Sequence, residues 1–91
     1  MSCWLMPFEE LLAGLAEECG ELTQAALKLR RTFNQVNPTP VSEDAAIDKL
    51  YEEIADVLLY IDELKLCKEE ITRIKAYKKE RWLKRLESAK K

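Results

Sequence analysis

Histidine is absent from this 91-residue chain. Its absence removes the residue that joins Glu in the transition-metal sites of helical bundles. The two glycines and three prolines leave little turn material for a sheet. Leu, Ala, Glu, Lys and Arg dominate instead, a composition that favours helices. The three cysteines, Cys3, Cys19 and Cys67, are odd in number and form no CxxC pair. Neither a disulfide framework nor a zinc site is indicated, and a reduced, cytoplasmic setting is expected. No apolar run approaches the ~20 residues needed to cross a membrane. The stretch from Met1 to Phe8 is too short for the apolar region of a signal peptide, and Glu9 and Glu10 follow at once. A chain of this length makes one domain spanning residues 1–91, with a core so small that self-association is expected.

The net charge of −2 conceals a strong polarity. Residues 1–64 carry 4 basic and 13 acidic side chains, whereas residues 65–91 carry 11 basic and 4 acidic. An acidic half can hold cations and a basic half can hold phosphates, or the two halves attract each other within or between chains.

Periodicity predicts three helices, at about residues 7–33, 42–65 and 69–88, with a loop at 34–41. Pro7 suits a first helical turn, and Glu9 and Glu10 suit the positive end of the helix dipole. Phe8, Leu11, Leu12, Leu15, Leu22, Ala26, Leu29 and Phe33 form the apolar stripe of the first helix. Gly14 and Gly20 interrupt it, each costing about 1 kcal/mol relative to Ala. Gly20, between Glu18 and Glu21, would admit a close neighbour. Asn37-Pro38-Thr39-Pro40 cannot continue a helix, and Ser42 is the expected cap of the second. That second helix is apolar on two sides, Ile47, Leu50, Ile54, Leu58 and Ile61 on one and Val57, Tyr60 and Leu64 on the other. Two buried sides call for two partners, the second being another subunit. The break near Leu66 to Lys68 carries neither Gly nor Pro. The expected architecture is an all-α bundle of three helices, completed by oligomerisation.

Acidic residues stand among these apolar positions. Glu18 and Glu21 lie one turn apart on the first helix, and Glu53 and Asp56 lie one turn apart on the second. Glu18 falls within the arc of Leu11, Leu22 and Leu29, and Glu21 lies at its edge. Glu53 and Asp56 share their side with Val57, Tyr60 and Leu64. Antiparallel packing would bring the two pairs together. Each pair of like charges ~4–5 Å apart costs a few kcal/mol at an effective dielectric of about 20. A cation, or protons, must offset that repulsion. Oxygen ligands alone favour Mg²⁺ or Mn²⁺ over Zn²⁺ or di-iron. Either acidic pair alone would read as ordinary solvated surface; basic side chains look largely absent nearby.

At these residues the chain resembles the MazG-like, all-alpha nucleoside triphosphate pyrophosphohydrolases, whose signature is E-E-x-x-E followed by E-x-x-D on the next helix. Here it reads Glu17-Glu18-Cys19-Gly20-Glu21 and Glu53-Ile54-Ala55-Asp56. Asn37 to Pro40 and the tail from Tyr77 to Leu86 also look like short bacterial and phage members. The gap of 31 residues between Glu21 and Glu53 is at the long end for the family. The resemblance implies a MazG-like four-helix bundle in which Glu18, Glu21, Glu53 and Asp56 ligate Mg²⁺. Glu17, pointing off the apolar arc, would join a second metal or deprotonate the attacking water. The implied reaction splits a nucleoside triphosphate between its α- and β-phosphates, in a homodimer or homotetramer.

On the third helix Lys78, Arg81 and Arg85 form one stripe, either a grip on substrate phosphates or a solvated face. Arg30 and Arg31 are weaker candidates for the same role. Trp82 and Leu86 read as core or interface. Tyr60 and Asn37 are candidates for a nucleoside pocket, with packing and turn propensity as the alternatives; the same applies to Trp4 and Asn34. Two other functions compete with the enzyme. One is a non-catalytic helical oligomerisation module. The other, nucleic-acid binding by the third helix, is weakened by Glu80 and Glu87, the overall acidity and the lack of an aromatic platform.

Overall fold

The computed structural model describes residues 6–34 and 41–90. Helix α1 spans Phe8–Asn34, α2 spans Glu43–Glu63 and α3 spans Lys68–Ala89; the described residues contain no strand. Helices α1 and α2 start where the capping chemistry places them. The Pro7 carbonyl accepts from the Glu10 and Leu11 amides at 3.0 Å. Glu9 and Glu10 occupy the first turn and Arg31 the last, each favourable to the helix dipole. Ser42 has an extended backbone, and its hydroxyl accepts from the Ala45 amide at 3.2 Å, a cap worth about 1 kcal/mol.

The α2–α3 break uses a different device from the glycine that commonly ends a helix. Lys65 takes a φ of +56°, the left-handed conformation in which a chain leaves a helix. Its amide donates to Asp62 O at 3.3 Å, and the Leu64 amide to Tyr60 O at 3.0 Å. No sequence signal marked this turn because Lys bears the conformational cost itself.

Helices α1 and α2 form an antiparallel hairpin, with Gly14 against Tyr60 near one end and Ala25 beside Ala46 and Lys49 near the other. Its buried apolar side chains are Leu11, Ala25, Ala46, Val57 and Leu64. The α2 side that packs inward is therefore that of Val57, Tyr60 and Leu64. On the adjoining side Ile54 and Leu58 are exposed and Ile47, Leu50 and Ile61 are half-buried. Along the expected α1 stripe, Leu11 is buried and Phe8, Leu15, Leu22 and Leu29 are half-buried, whereas Leu12, Ala26 and Phe33 are exposed. A helix with one neighbour can bury only one arc.

Helix α3 packs against neither α1 nor α2, and none of its residues is buried. Trp82, at 58% exposure, and Leu86, at 44%, belong to no core within the chain. The extents of 51 × 39 × 18 Å and the radius of gyration of 17.1 Å reflect this projecting arm; a compact chain of this length would have a radius of about 12 Å. Local pairs support the arm: Arg73 with Glu70, Lys84 with Glu80 at 3.3 Å, and Arg81 over the Tyr77 ring at 5.7 Å. Such exposed pairs contribute a few tenths of a kcal/mol each. None of the helices is long and apolar enough to cross a membrane.

Candidate metal centre

The hairpin register brings Glu18 on α1 opposite Glu53 and Asp56 on α2. One carboxylate oxygen from each lies within 4.8 Å of the others. Glu53 is the centre of this group. It is 2% exposed and is the buried charged residue among the described residues. Its Oε1 meets the Lys49 ammonium at 3.0 Å, while its Oε2 is buried with no hydrogen-bond partner. Glu18 Oε2 is orphaned in the same way. An unsatisfied buried polar atom costs about 1–3 kcal/mol, more when charged. Two carboxylates of the converging group thus each carry an unsatisfied oxygen, a deficit that a divalent cation would make good. The oxygen-only donor set fits Mg²⁺ or Mn²⁺.

The electrostatics agree with the geometry. The Glu18 carboxyl is raised above the ordinary carboxylate range, first by partial desolvation and then by the negative charges of Glu21, Asp56 and Glu53. Glu21 also lies within hydrogen-bonding reach of Glu18, which ties it to the cluster although it is exposed and stands outside the closest group of three. Lys49 is shifted upward by its hydrogen bond and attraction to Glu53, reinforced by Glu52 and Glu21. It therefore keeps its charge at neutral pH.

A folded-state pKa above the unfolded value means that the native protein binds the proton more tightly. That stability is fully present below the unfolded pKa and is lost as pH rises through the folded pKa. Acidifying the metal-free protein from neutral pH toward the ordinary carboxylate range should therefore raise its melting temperature through Glu18. Saturating Mg²⁺ should flatten or reverse this dependence, because metal and proton compete for the same oxygens. Calorimetric melts across that range, with and without Mg²⁺, provide the check.

The other expected site residues are placed as follows. Glu17 is exposed on α1 and is not among the three side chains that converge. Tyr60 is half-buried and lies over Gly14, so its ring packs one turn below the cluster. Asn37 and Trp4 lie outside the described residues. Lys78, Arg81 and Arg85 are on α3, which has no contact with the hairpin that carries the cluster. Within one chain they do not face it. Lys78 instead flanks an open apolar groove with Ile71, Ile74 and Trp82.

The expectation that basic side chains are absent near the acidic cluster is incorrect. Lys49 precedes Glu53 by one helical turn, and the i, i+4 spacing places its ammonium on the buried carboxylate. Lys49 and Lys28 flank a cleft of about 210 Å³, lined also by Glu21, Gln24, Ala25 and Glu53. A smaller apolar cleft continues along the same helix interface past Ala25, Val41 and Ala46. The signal was present in the sequence as Lys49-x-x-x-Glu53 and Gln24-x-x-x-Lys28, one turn from the acidic motifs.

Comparison with known proteins gives no match to any family model, curated protein or solved structure.

Proposed function

We propose that this protein is a Mg²⁺-dependent nucleoside triphosphate pyrophosphohydrolase of the MazG-like kind. The observation that carries the reading is the convergence of Glu18, Glu53 and Asp56, with a buried, unpartnered oxygen on Glu53. Two long helices desolvate a carboxylate and leave it incompletely paired, an arrangement costly to stability and suited to holding a cation. Glu18, Glu53 and Asp56 would hold Mg²⁺ (or Mn²⁺), with Glu21 at the rim. The metal would supply the charge neutralisation and in-line positioning that phosphoryl transfer requires.

The protein's own groups account for the remaining requirements. Glu53 and Asp56 repel any anion not accompanied by a cation, which favours a metal-bound triphosphate over a free one. Lys28 and Lys49 offer positive charge along the adjoining cleft, where a phosphate chain would lie. By the resemblance Glu17 would join a second metal or deprotonate the attacking water, and its exposure leaves it accessible to either. The products are a nucleoside monophosphate and pyrophosphate.

The reading includes a homodimer or homotetramer. A compact monomer of 10.6 kDa exposes about 5,500 Å², and this chain exposes 7571 Å². The excess is of the size buried in stable subunit interfaces. Most helical stability in proteins comes from packing an apolar face, and α3 packs none within the chain, so docking on a second copy would account for its persistence. Docking is also the route by which Lys78, Arg81 and Arg85 could reach a cluster, that of another subunit.

One observation favours a second reading. The apolar side chains Ile71, Ile74 and Trp82 along α3 are exposed, as they would be in a non-catalytic oligomerisation module with an acidic metal site. Incubation with Mg²⁺ and a panel of nucleoside and deoxynucleoside triphosphates separates the two. The enzyme reading expects pyrophosphate and monophosphate in equal amounts from at least one nucleotide. Absence of release from every nucleotide, in protein shown to bind Mg²⁺, would leave the oligomerisation module standing.

A further inference from the structure

We infer that Lys49 is a resident counter-cation of the acidic cluster, and that divalent metal enters by displacing its ammonium from Glu53. The inference deepens the metal-site reading and rests on it. Lys49 holds Glu53 Oε1 at 3.0 Å, yet its side chain is 58% exposed while that of Glu53 is 3% exposed. The carboxylate is fixed by the helix interface; the ammonium sits on a flexible four-carbon stem at the solvent edge. The partner free to leave is therefore the lysine.

Its destination is also present. Lys49 lines the cleft of about 210 Å³ that adjoins the cluster, together with Gln24 and Lys28. A swing of the stem into that cleft or into water frees Glu53 Oε1 to join the orphaned Oε2 and the Glu18 oxygen. Metal uptake is then the exchange of one cation for another. Metal-free protein is spared much of the repulsion among Glu18, Glu53 and Asp56, and metal affinity is held below what those three carboxylates would otherwise give.

Isothermal titration of the metal-free protein with Mn²⁺ tests the exchange. Removing a unit charge about 5 Å from a divalent ion, even at water-like screening, should tighten binding about tenfold in Lys49→Gln. Lys49→Arg, which keeps the charge, should stay within about threefold of the unaltered protein. Lys90→Gln, which makes the same change of net charge at the far end of α3, should stay within about twofold. Circular dichroism confirms that each variant is folded, which the exposure of both lysines favours. Equal or weaker Mn²⁺ binding by Lys49→Gln would overturn the inference while leaving the metal site in place. A tenfold gain in Lys49→Arg would also overturn it, by tracing the effect to shape instead of charge. Absence of Mn²⁺ binding by the unaltered protein would remove both the site and the exchange.

Discussion

On the proposed pyrophosphohydrolase reading, Glu53→Gln should lower nucleotide turnover by about 10²–10³-fold and, in the same protein, raise the metal-free melting temperature. The first effect follows from removing the central negative ligand of the site; losses of this size accompany deletion of a group that stabilises transition-state charge. The second follows from burial. Glu53 is 2% exposed with one oxygen unpartnered, and it adds to the negative charge around Glu18. A neutral amide of the same shape removes a desolvated charge and can donate to Glu18. The Lys49 ammonium that it releases is mostly exposed and stays solvated. The gain should be about 1 kcal/mol, or several degrees in a domain of this size. Steady-state kinetics and calorimetry on one preparation check both halves. A structural carboxylate would show the reverse, with stability falling and any activity following it.

Gly14→Ala and Gly20→Ala should move stability in opposite directions although both lie inside α1. Alanine in a helix interior is ordinarily favoured over glycine by about 1 kcal/mol. At Gly20 a Cβ would meet nothing within 4 Å, so that gain should appear in full. At Gly14 a Cβ would sit 2.5 Å from Tyr60 Cζ and 2.7 Å from its hydroxyl oxygen. The ring must move out of the hairpin, and such overpacking costs about 1–3 kcal/mol. The two variants should therefore differ by about 1–3 kcal/mol in urea unfolding. Adding Tyr60→Ala to Gly14→Ala should recover part of the loss. A stabilised Gly14→Ala would mean that the ring does not hold this position.

These two glycines show where sequence reasoning stopped. Both interrupt the same apolar stripe, and the acidic neighbours of Gly20 made it look like the point of close approach. The hairpin register places the close approach at Gly14, under Tyr60, and a register between two helices is not encoded by the periodicity of either. The helix boundaries were legible because their chemistry is local: Pro7 and Ser42 with acidic first turns. The α2–α3 turn was only roughly placed because Lys65 makes it without glycine.

The site divides in the same way. The inward placement of Glu53 was readable, since it shares an α2 side with Val57, Tyr60 and Leu64, and that side packs on α1. Lys49 stands one turn from Glu53 in the sequence, but that its ammonium meets a buried carboxylate follows only from which side of α2 the hairpin covers. The isolation of α3 was not legible at all. Its apolar positions read as core or interface, and only the three-dimensional arrangement shows that among the described residues of one chain there is nothing for them to cover. The phosphate-gripping role expected of Lys78, Arg81 and Arg85 consequently depends on a neighbouring subunit, whereas Lys28 and Lys49 are beside the cluster already.

The central claim is that Glu18, Glu53 and Asp56 form a divalent-cation site. Electron paramagnetic resonance of Mn²⁺ titrated into the metal-free protein tests it most directly, because free Mn²⁺ gives a strong signal that diminishes on binding. The signal should fall saturably with the unaltered protein, and much less with Glu53→Gln at the same concentration. Equal loss of signal in both proteins, or no loss in either, would contradict the account.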